Sequence, residues 1–254
     1  MSSATESIDS AMMSAYQQIS SGKRINSAAD DAAGLAISEK MAAQARGLEQ
    51  GTENAQDMQN LLRTAEGGLE NISSALNRMR EIGVQASNGI YTDSDKAAMQ
   101  LEVDQLKSFI KDSVKGTEFN TMKLLDGSYY NKQAAVSPNG DSIKIYLEDS
   151  SLETLGIADF DVTGDFNLGS LDKALENVND ARARIGATQN RLEYTINSNE
   201  TSYLNQMQAM SRIADADIGK AMMDKSRSDV LMQYQVFSQK EQMQRTGSML
   251  SLLK

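Results

Sequence analysis

Between Ile37 and Ala86 apolar residues recur on two seams of seven-residue spacing. One holds Met41, Leu48, Ala55, Leu62, Leu69, Leu76 and Gly83; the other holds Ile37, Gln44, Gly51, Met58, Ala65, Ile72, Met79 and Ala86. A sustained heptad predicts a single helix whose stripe faces partner helices, with Gln44 and the glycines as weak points. At about 1.5 Å of rise per residue it would be roughly 75 Å long. A stripe of that length needs partners of similar length. Gly47, Gly51, Gly67 and Gly68 each lower helix propensity, but small residues let a neighbouring helix approach closely.

The partners are legible further along. Met99, Val103, Leu106, Ile110 and Val114 fall on one face of a helix capped at Thr92 or Asp93 and ending near Lys115-Gly116. Leu171, Val178, Ile185 and Leu192 are again seven apart, thickened by Leu175 and Ile196 and continued by Tyr203, Met207, Met210 and Ile213. This second long helix is expected to lie antiparallel to the first, with Leu62, Leu69, Ile72, Leu76, Val178, Ile185 and Leu192 holding the bundle. Upstream, Ile8, Met12, Ala15 and Ile19 predict a short amphipathic helix ended by Ser21-Gly22. Ser27 is the expected N-cap of the first long helix, and Asp30 and Asp31 read as helix initiation rather than a metal site. Beyond Asp215-Ala216-Asp217 apolar residues continue at Ile218, Met222, Val230, Leu231, Tyr234, Phe237 and Met243, and close on Met249, Leu250, Leu252 and Leu253. Within the bundle that end has only the short N-terminal helix to meet. Both ends therefore want company, for which a second subunit is the natural source.

From Thr117 to Gly169 helical spacing disappears. Ser142-Ile143-Lys144-Ile145-Tyr146-Leu147 alternates after Pro138-Asn139-Gly140-Asp141, which predicts a small β-hairpin. The fold class expected is mainly α: a long antiparallel helical bundle with a small β-hairpin region in mid-chain. The segment holds nine Asp and Glu against three Lys. Asp159, Asp161 and Asp165 alternate loosely but lack the later Glu and the Gly of a calcium loop, so a solvated face is expected.

Composition removes whole classes of chemistry. With no His and no Cys among 254 residues, ordinary zinc sites, Ser-His-Asp triads, thiol nucleophiles and disulfides are excluded. Nothing brings two carboxylates together across a cleft, so no catalytic residue, metal site or cofactor is assigned, and no enzyme is expected. A net charge of −10 argues against nucleic-acid and acidic-membrane binding, and no apolar run is long enough to span a bilayer. The N-terminus lacks the basic start and apolar run of a cleavable secretory signal.

Several segments carry a family resemblance. Residues 20–41 (SSGKRINSAADDAAGLAISEKM), LNRMREIGVQASNG from Leu76, EFNTMKLLDG from Glu118, IGATQNRLEYTINSN from Ile185, SRIADADIGKAM from Ser211 and the terminal LSLLK resemble bacterial flagellin, in that family's order. The resemblance covers nearly all of residues 20–254. The family's outer variable domains have only the short acidic middle in their place.

What the resemblance implies is a subunit of the flagellar filament for motility, exported unfolded through the flagellar type III channel and working outside the cell. Its expected regions are 1–22, a shortened inner-tube helix; 23–116 and 171–217, the two parts of a long-helix core domain; 117–170, the hairpin region; and 218–254, the C-terminal inner-tube helix. Ile8, Met12, Leu250, Leu252 and Leu253 are expected in subunit assembly. The partners implied are further copies of the chain, the export apparatus and a chaperone for the C-terminus, the filament cap and junction proteins, and Toll-like receptor 5. Residues matching the receptor-binding positions are Arg78, Ile82, Gln85 and Glu102, with Ile82 in place of the family's usual Leu and Asn77 in place of its Gln. Two departures from the family's pattern are read: the apolar-periodic stretch rich in Asn and Ala that normally precedes the Ser20 segment is missing, which implies a shortened inner pair, and the C-terminal end is more charged at Lys240, Glu241 and Arg245. The alternatives are a hook-filament junction or minor accessory flagellin-like protein, and an intracellular coiled-coil scaffold.

Overall fold

The computed structural model describes residues 2–252, and side chains from residue 6 to residue 249. The chain runs α1 (Ser2–Ser21), α2 (Ala32–Ala86), α3 (Asp93–Gly116), β1 (Glu118–Phe119), β2 (Met122–Lys123), β3 (Lys132–Ala135), β4 (Ser142–Ile145), α4 (Leu168–Ala214) and α5 (Ile218–Leu252). The fold is mainly helical, with two small antiparallel strand pairs in mid-chain. It divides into two compact units, Arg46–Tyr203 and the combination of Met1–Ala45 with Leu204–Lys254.

In the unit Arg46–Tyr203, three helices and the β region share one core. Arg78 Nε meets Glu102 Oε1 at 2.7 Å, and the Ser113 hydroxyl donates to the Gly68 carbonyl at 3.4 Å, so α3 runs antiparallel to α2. Arg80 Nε meets Asp172 Oδ1 at 2.7 Å and Gln189 Nε2 donates to Glu66 Oε2 at 3.3 Å, which sets α4 antiparallel to α2 as well. Between them lie Leu62, Leu69, Ile72, Leu76, Val103, Ile110, Val178, Ile185 and Leu192, all buried. Burying a Leu or Ile side chain contributes about 1.5–3 kcal/mol, so the stripe is the main source of this unit's stability. Thr92 starts α3 with a capping box: its hydroxyl accepts from the Asp95 backbone N–H, and the Asp95 carboxylate accepts from the Thr92 backbone N–H.

The middle segment contributes to that core. β3 and β4 pair from Lys132↔Ile145 to Ala135↔Ser142, and Leu124, Leu125, Ile143, Ile145, Leu147, Ile157 and Val162 are buried with the helices. Gly47 and Gly51 serve this segment, whereas the seam glycine Gly83 lies against Leu168 at the start of α4. A Cβ on Gly51 would stand 2.6 Å from the Val136 carbonyl oxygen, and one on Gly47 would stand 2.5 Å from Pro138 Cβ. The hairpin turn thus lies against α2 where side chains are absent. Two side-chain amides receive its carbonyls: Asn54 donates to Ala135 at 2.9 Å and Asn199 to Val136 at 2.8 Å. Asp161 accepts the Thr163 backbone N–H at 2.7 Å and hydroxyl at 2.6 Å, a local turn.

In the other unit, Gly22 adopts φ +69° and ends α1, a conformation that glycine reaches without a Cβ penalty. The chain then crosses the link between α4 and α5: Arg24 N donates to the Ala214 carbonyl at 2.7 Å, Ala216 N to the Gly22 carbonyl at 2.9 Å, and Arg24 Nη2 to the Ile213 carbonyl at 2.5 Å. The cap of α2 differs from expectation. Asp31 Oδ1 accepts from Gly34 N at 2.8 Å, so Asp31 caps the helix, while Ser27 is tied into the preceding turn by Asp30. The seam also shifts here. Ile37 and Gln44 are exposed and Ser38 and Ala45 are buried instead, one residue later.

Candidate assembly interface

The pairing of α1 with α5 follows from the crossing just described. The chain reaches the crossing at the end of α1 and leaves it into α5, so the two helices pack side by side and antiparallel. Along α5 Ala221 and Ser228 are buried and Lys225, Asp229, Met232, Gln235 and Ser238 half-buried, close to the spacing of one helical stripe. Opposite them, Ala15 is buried and Ile8, Met12 and Ile19 are half-buried. Lys225 Nζ sits 4.8 Å from the centre of the Tyr16 ring and 3.7 Å from Asp229 Oδ2. The Tyr16 side chain, and after it Asp229, hold the Lys225 ammonium above the ordinary lysine range.

On α5 this seam is largely small and polar, with Met232 as a large apolar member, and it meets Ile8, Met12 and Ile19 of α1, while many large apolar side chains of α5 stay exposed. Met222, Met223, Val230, Leu231, Tyr234, Val236, Phe237 and Met243 are all exposed, Phe237 by 62%, as are Met13 and Tyr16 on α1. Single apolar residues are exposed elsewhere too, such as Ile90, Leu101 and Tyr194, but their density along α5 marks it as a candidate interaction surface. Of the apolar positions of α5 read from the sequence, Leu231 lines the cleft against α1 with Ile8, Ala11 and Ala15, while Met222, Tyr234, Phe237 and Met243 are exposed. The intrachain seam at Ala221 and Ser228 was hidden because small residues leave no hydrophobic signal. Leu250, Leu252 and Leu253 fall outside the residues whose side chains are described.

The four positions matched to receptor binding separate. Arg78, Gln85 and Glu102 are exposed on α2 and α3. Arg78 binds Glu102 at 2.7 Å and Glu81 at 3.0 Å, and these carboxylates, Glu102 first, raise its already high pKa. Gln85 Nε2 donates to the Tyr91 hydroxyl at 3.0 Å. Ile82 is 1% exposed and belongs to the core, so it presents no surface to a partner. A signal for this was present: Leu61, Gly68, Ala75 and Ile82 form a third seam of seven-residue spacing, all buried, because α2 has both α3 and α4 as neighbours. Among the described residues no group of three acidic side chains gathers as a cation site, and no helix is long and apolar enough to cross a membrane.

Comparison with known proteins places this architecture. Residues 1–130 match the bacterial flagellin N-terminal helical region and residues 168–253 the bacterial flagellin C-terminal helical region. A flagellin of Halalkalibacterium halodurans is 43% identical over 226 residues, covering 86% of this chain and 83% of that protein. The crystal structure of Bacillus cereus flagellin aligns with a TM-score of 0.53 at 29% identity, covering 58% of this chain and 88% of that one. A putative flagellar hook-associated protein from Vibrio parahaemolyticus aligns with a TM-score of 0.61 at 18% identity over 73% of this chain and all of that one, a likeness of fold. The chain belongs to the bacterial flagellins, a family of structural, non-enzymatic subunits of the flagellar filament.

Proposed function

We propose that this chain polymerises through the outward apolar side chains of α1 and α5, forming a motility filament after export through the flagellar type III channel. The observation that carries the reading is the set of large apolar side chains between Met222 and Met243 that stay exposed on a helix whose intrachain seam is largely small and polar. Large apolar side chains in water contribute nothing to the stability of a single subunit. Covered by further copies, each contributes on the order of 1.5–3 kcal/mol. Residues 1–22 and 218–254 are accordingly the inner-tube segments, with Leu250, Leu252 and Leu253 continuing the apolar run of α5. Residues 23–116 and 171–217 are the core domain, and 117–170 the hairpin region lying on it. The export apparatus, a C-terminal chaperone, and the cap and junction proteins are the partners this role requires.

Binding to Toll-like receptor 5 is part of the same proposal, supported by the exposure of Arg78, Gln85 and Glu102 on adjacent helices. The experiment that tests the filament role is electron microscopy of purified chain added to sheared filament ends. Extension of the ends is the expected result. Failure to extend, with the chain helical and monodisperse, would contradict it.

A further inference from the structure

We propose that the methionine sulfurs on α1 and α5 are an oxidant-sensitive modification site, and that their conversion to sulfoxide removes a subunit from assembly. The inference rests on the assembly role just given. The chain contains 15 Met and no Cys, so thioethers are its only sulfur chemistry. They are distributed unevenly. Met79, in the core of the helical bundle, is 0% exposed, whereas Met223 is 68% and Met243 74% exposed, and Met13, Met222 and Met249 are exposed with them. Every one of these five lies on α1 or α5.

The reaction needs a peroxide and nothing else. A sulfur lone pair attacks one oxygen of hydrogen peroxide, the O–O bond breaks as the S–O bond forms, and the departing hydroxide takes the proton and leaves as water. The sulfur is oxidised by two electrons and the peroxide reduced by two. A flexible apolar side chain thereby becomes polar and chiral. Left at the surface of a free subunit, the sulfinyl oxygen is hydrated and costs little. Packed against apolar side chains of another copy, it is a buried acceptor without a donor, which is unfavourable. The consequence is selective: oxidation spares the folded subunit and penalises the assembled one. Methionine sulfoxide reductases reverse the change, so the site acts as a switch.

The test uses the full chain, treated with dilute hydrogen peroxide and mapped by mass spectrometry, then added to sheared filament ends. Oxidation is expected at Met13, Met222, Met223, Met243 and Met249 ahead of Met79. Extension should fall by about tenfold or more, with helicity unchanged, and return after treatment with methionine sulfoxide reductases. The triple variant Met222→Leu, Met223→Leu, Met243→Leu should extend after peroxide, whereas Met122→Leu, which removes an exposed methionine away from α1 and α5, should give no protection. Equal extension by oxidised and untreated chain would overturn the inference. So would a loss that the reductases do not restore, or one that persists when Met13→Leu and Met249→Leu are added to the triple variant, since the damage would then lie elsewhere. Failure of the untreated chain to extend would instead overturn the assembly role, and the inference with it.

Discussion

Asn199 on α4 donates its side-chain amide to the Val136 carbonyl at 2.8 Å, at a buried position where the hairpin turn lies over Gly51. The bond gives the turn's backbone the partner that neither β3 nor β4 supplies, and it couples a loop to the helical core. An Asn199→Leu change leaves that carbonyl buried and unpaired, at a cost of about 1–3 kcal/mol. Urea unfolding should show the loss as a lower midpoint at unchanged slope. A midpoint equal to that of the parent would mean that the carbonyl finds another donor.

Leu69 and Gly67 sit two residues apart on α2 and should respond in opposite directions. Leu69 is buried against the other helices, and Leu69→Ala should cost about 2–5 kcal/mol. At Gly67 an added Cβ meets nothing within 4 Å, so Gly67→Ala should stabilise by roughly 0.5–1 kcal/mol through helix propensity alone. Thermal melts followed by circular dichroism check both signs. A destabilising Gly67→Ala would show that a neighbour occupies that space.

The capping box of α3 predicts a pH dependence. Asp95 accepts the Thr92 hydroxyl at 2.7 Å and backbone N–H at 2.9 Å, and these bonds, the hydroxyl first, lower its pKa below the ordinary aspartate value. A carboxyl depressed in the folded state contributes stability that is complete above its unfolded pKa and is lost as pH falls through the folded one. Asp30 follows the same sign, held chiefly by the Asn26 backbone N–H. Carboxyl NMR titration should place Asp95 low, and Thr92→Ala should bring it back up. An unmoved titration would remove Thr92 from the account.

How far this was readable in the sequence depended on side-chain size. The three long seams were legible because Leu, Ile and Val repeat every seven residues, and the hairpin because Pro138-Asn139-Gly140-Asp141 separates alternating runs. The β1–β2 pair was not: its turn is Asn120-Thr121, both at positive φ, where an Asn-Gly pair would have announced it. The hairpin's seat at Gly47 and Gly51 looked like weakness in a seam, since a missing side chain reports nothing about what replaces it. The pairing of the two ends and the α1 stripe at Ile8, Met12, Ala15 and Ile19 were legible, but the same physics hid the face of α5 that meets α1. Its contacts are Ala15, Ala221 and Ser228, and the conspicuous Tyr234 and Phe237 point elsewhere.

The positions matched to receptor binding should also split. Arg78→Ala removes an exposed cation already shared by Glu102 and Glu81, so it should weaken Toll-like receptor 5 binding without lowering the melting temperature much. Ile82→Ala should do the reverse, costing about 2–5 kcal/mol of stability as a core truncation. Surface plasmon resonance on refolded variants, paired with melts, separates them. Unchanged binding by Arg78→Ala would exclude that arginine from the contact.

The most direct measurement is the critical concentration for seeded filament growth of Phe237→Ser beside the parent chain, with a thermal melt of each. Phe237 is exposed in the subunit, so the melts should coincide. Covering that side chain contributes about 1.5–3 kcal/mol, so the critical concentration should rise by an order of magnitude or more. Equal critical concentrations would mean that the outward face of α5 is not what copies of this chain bury.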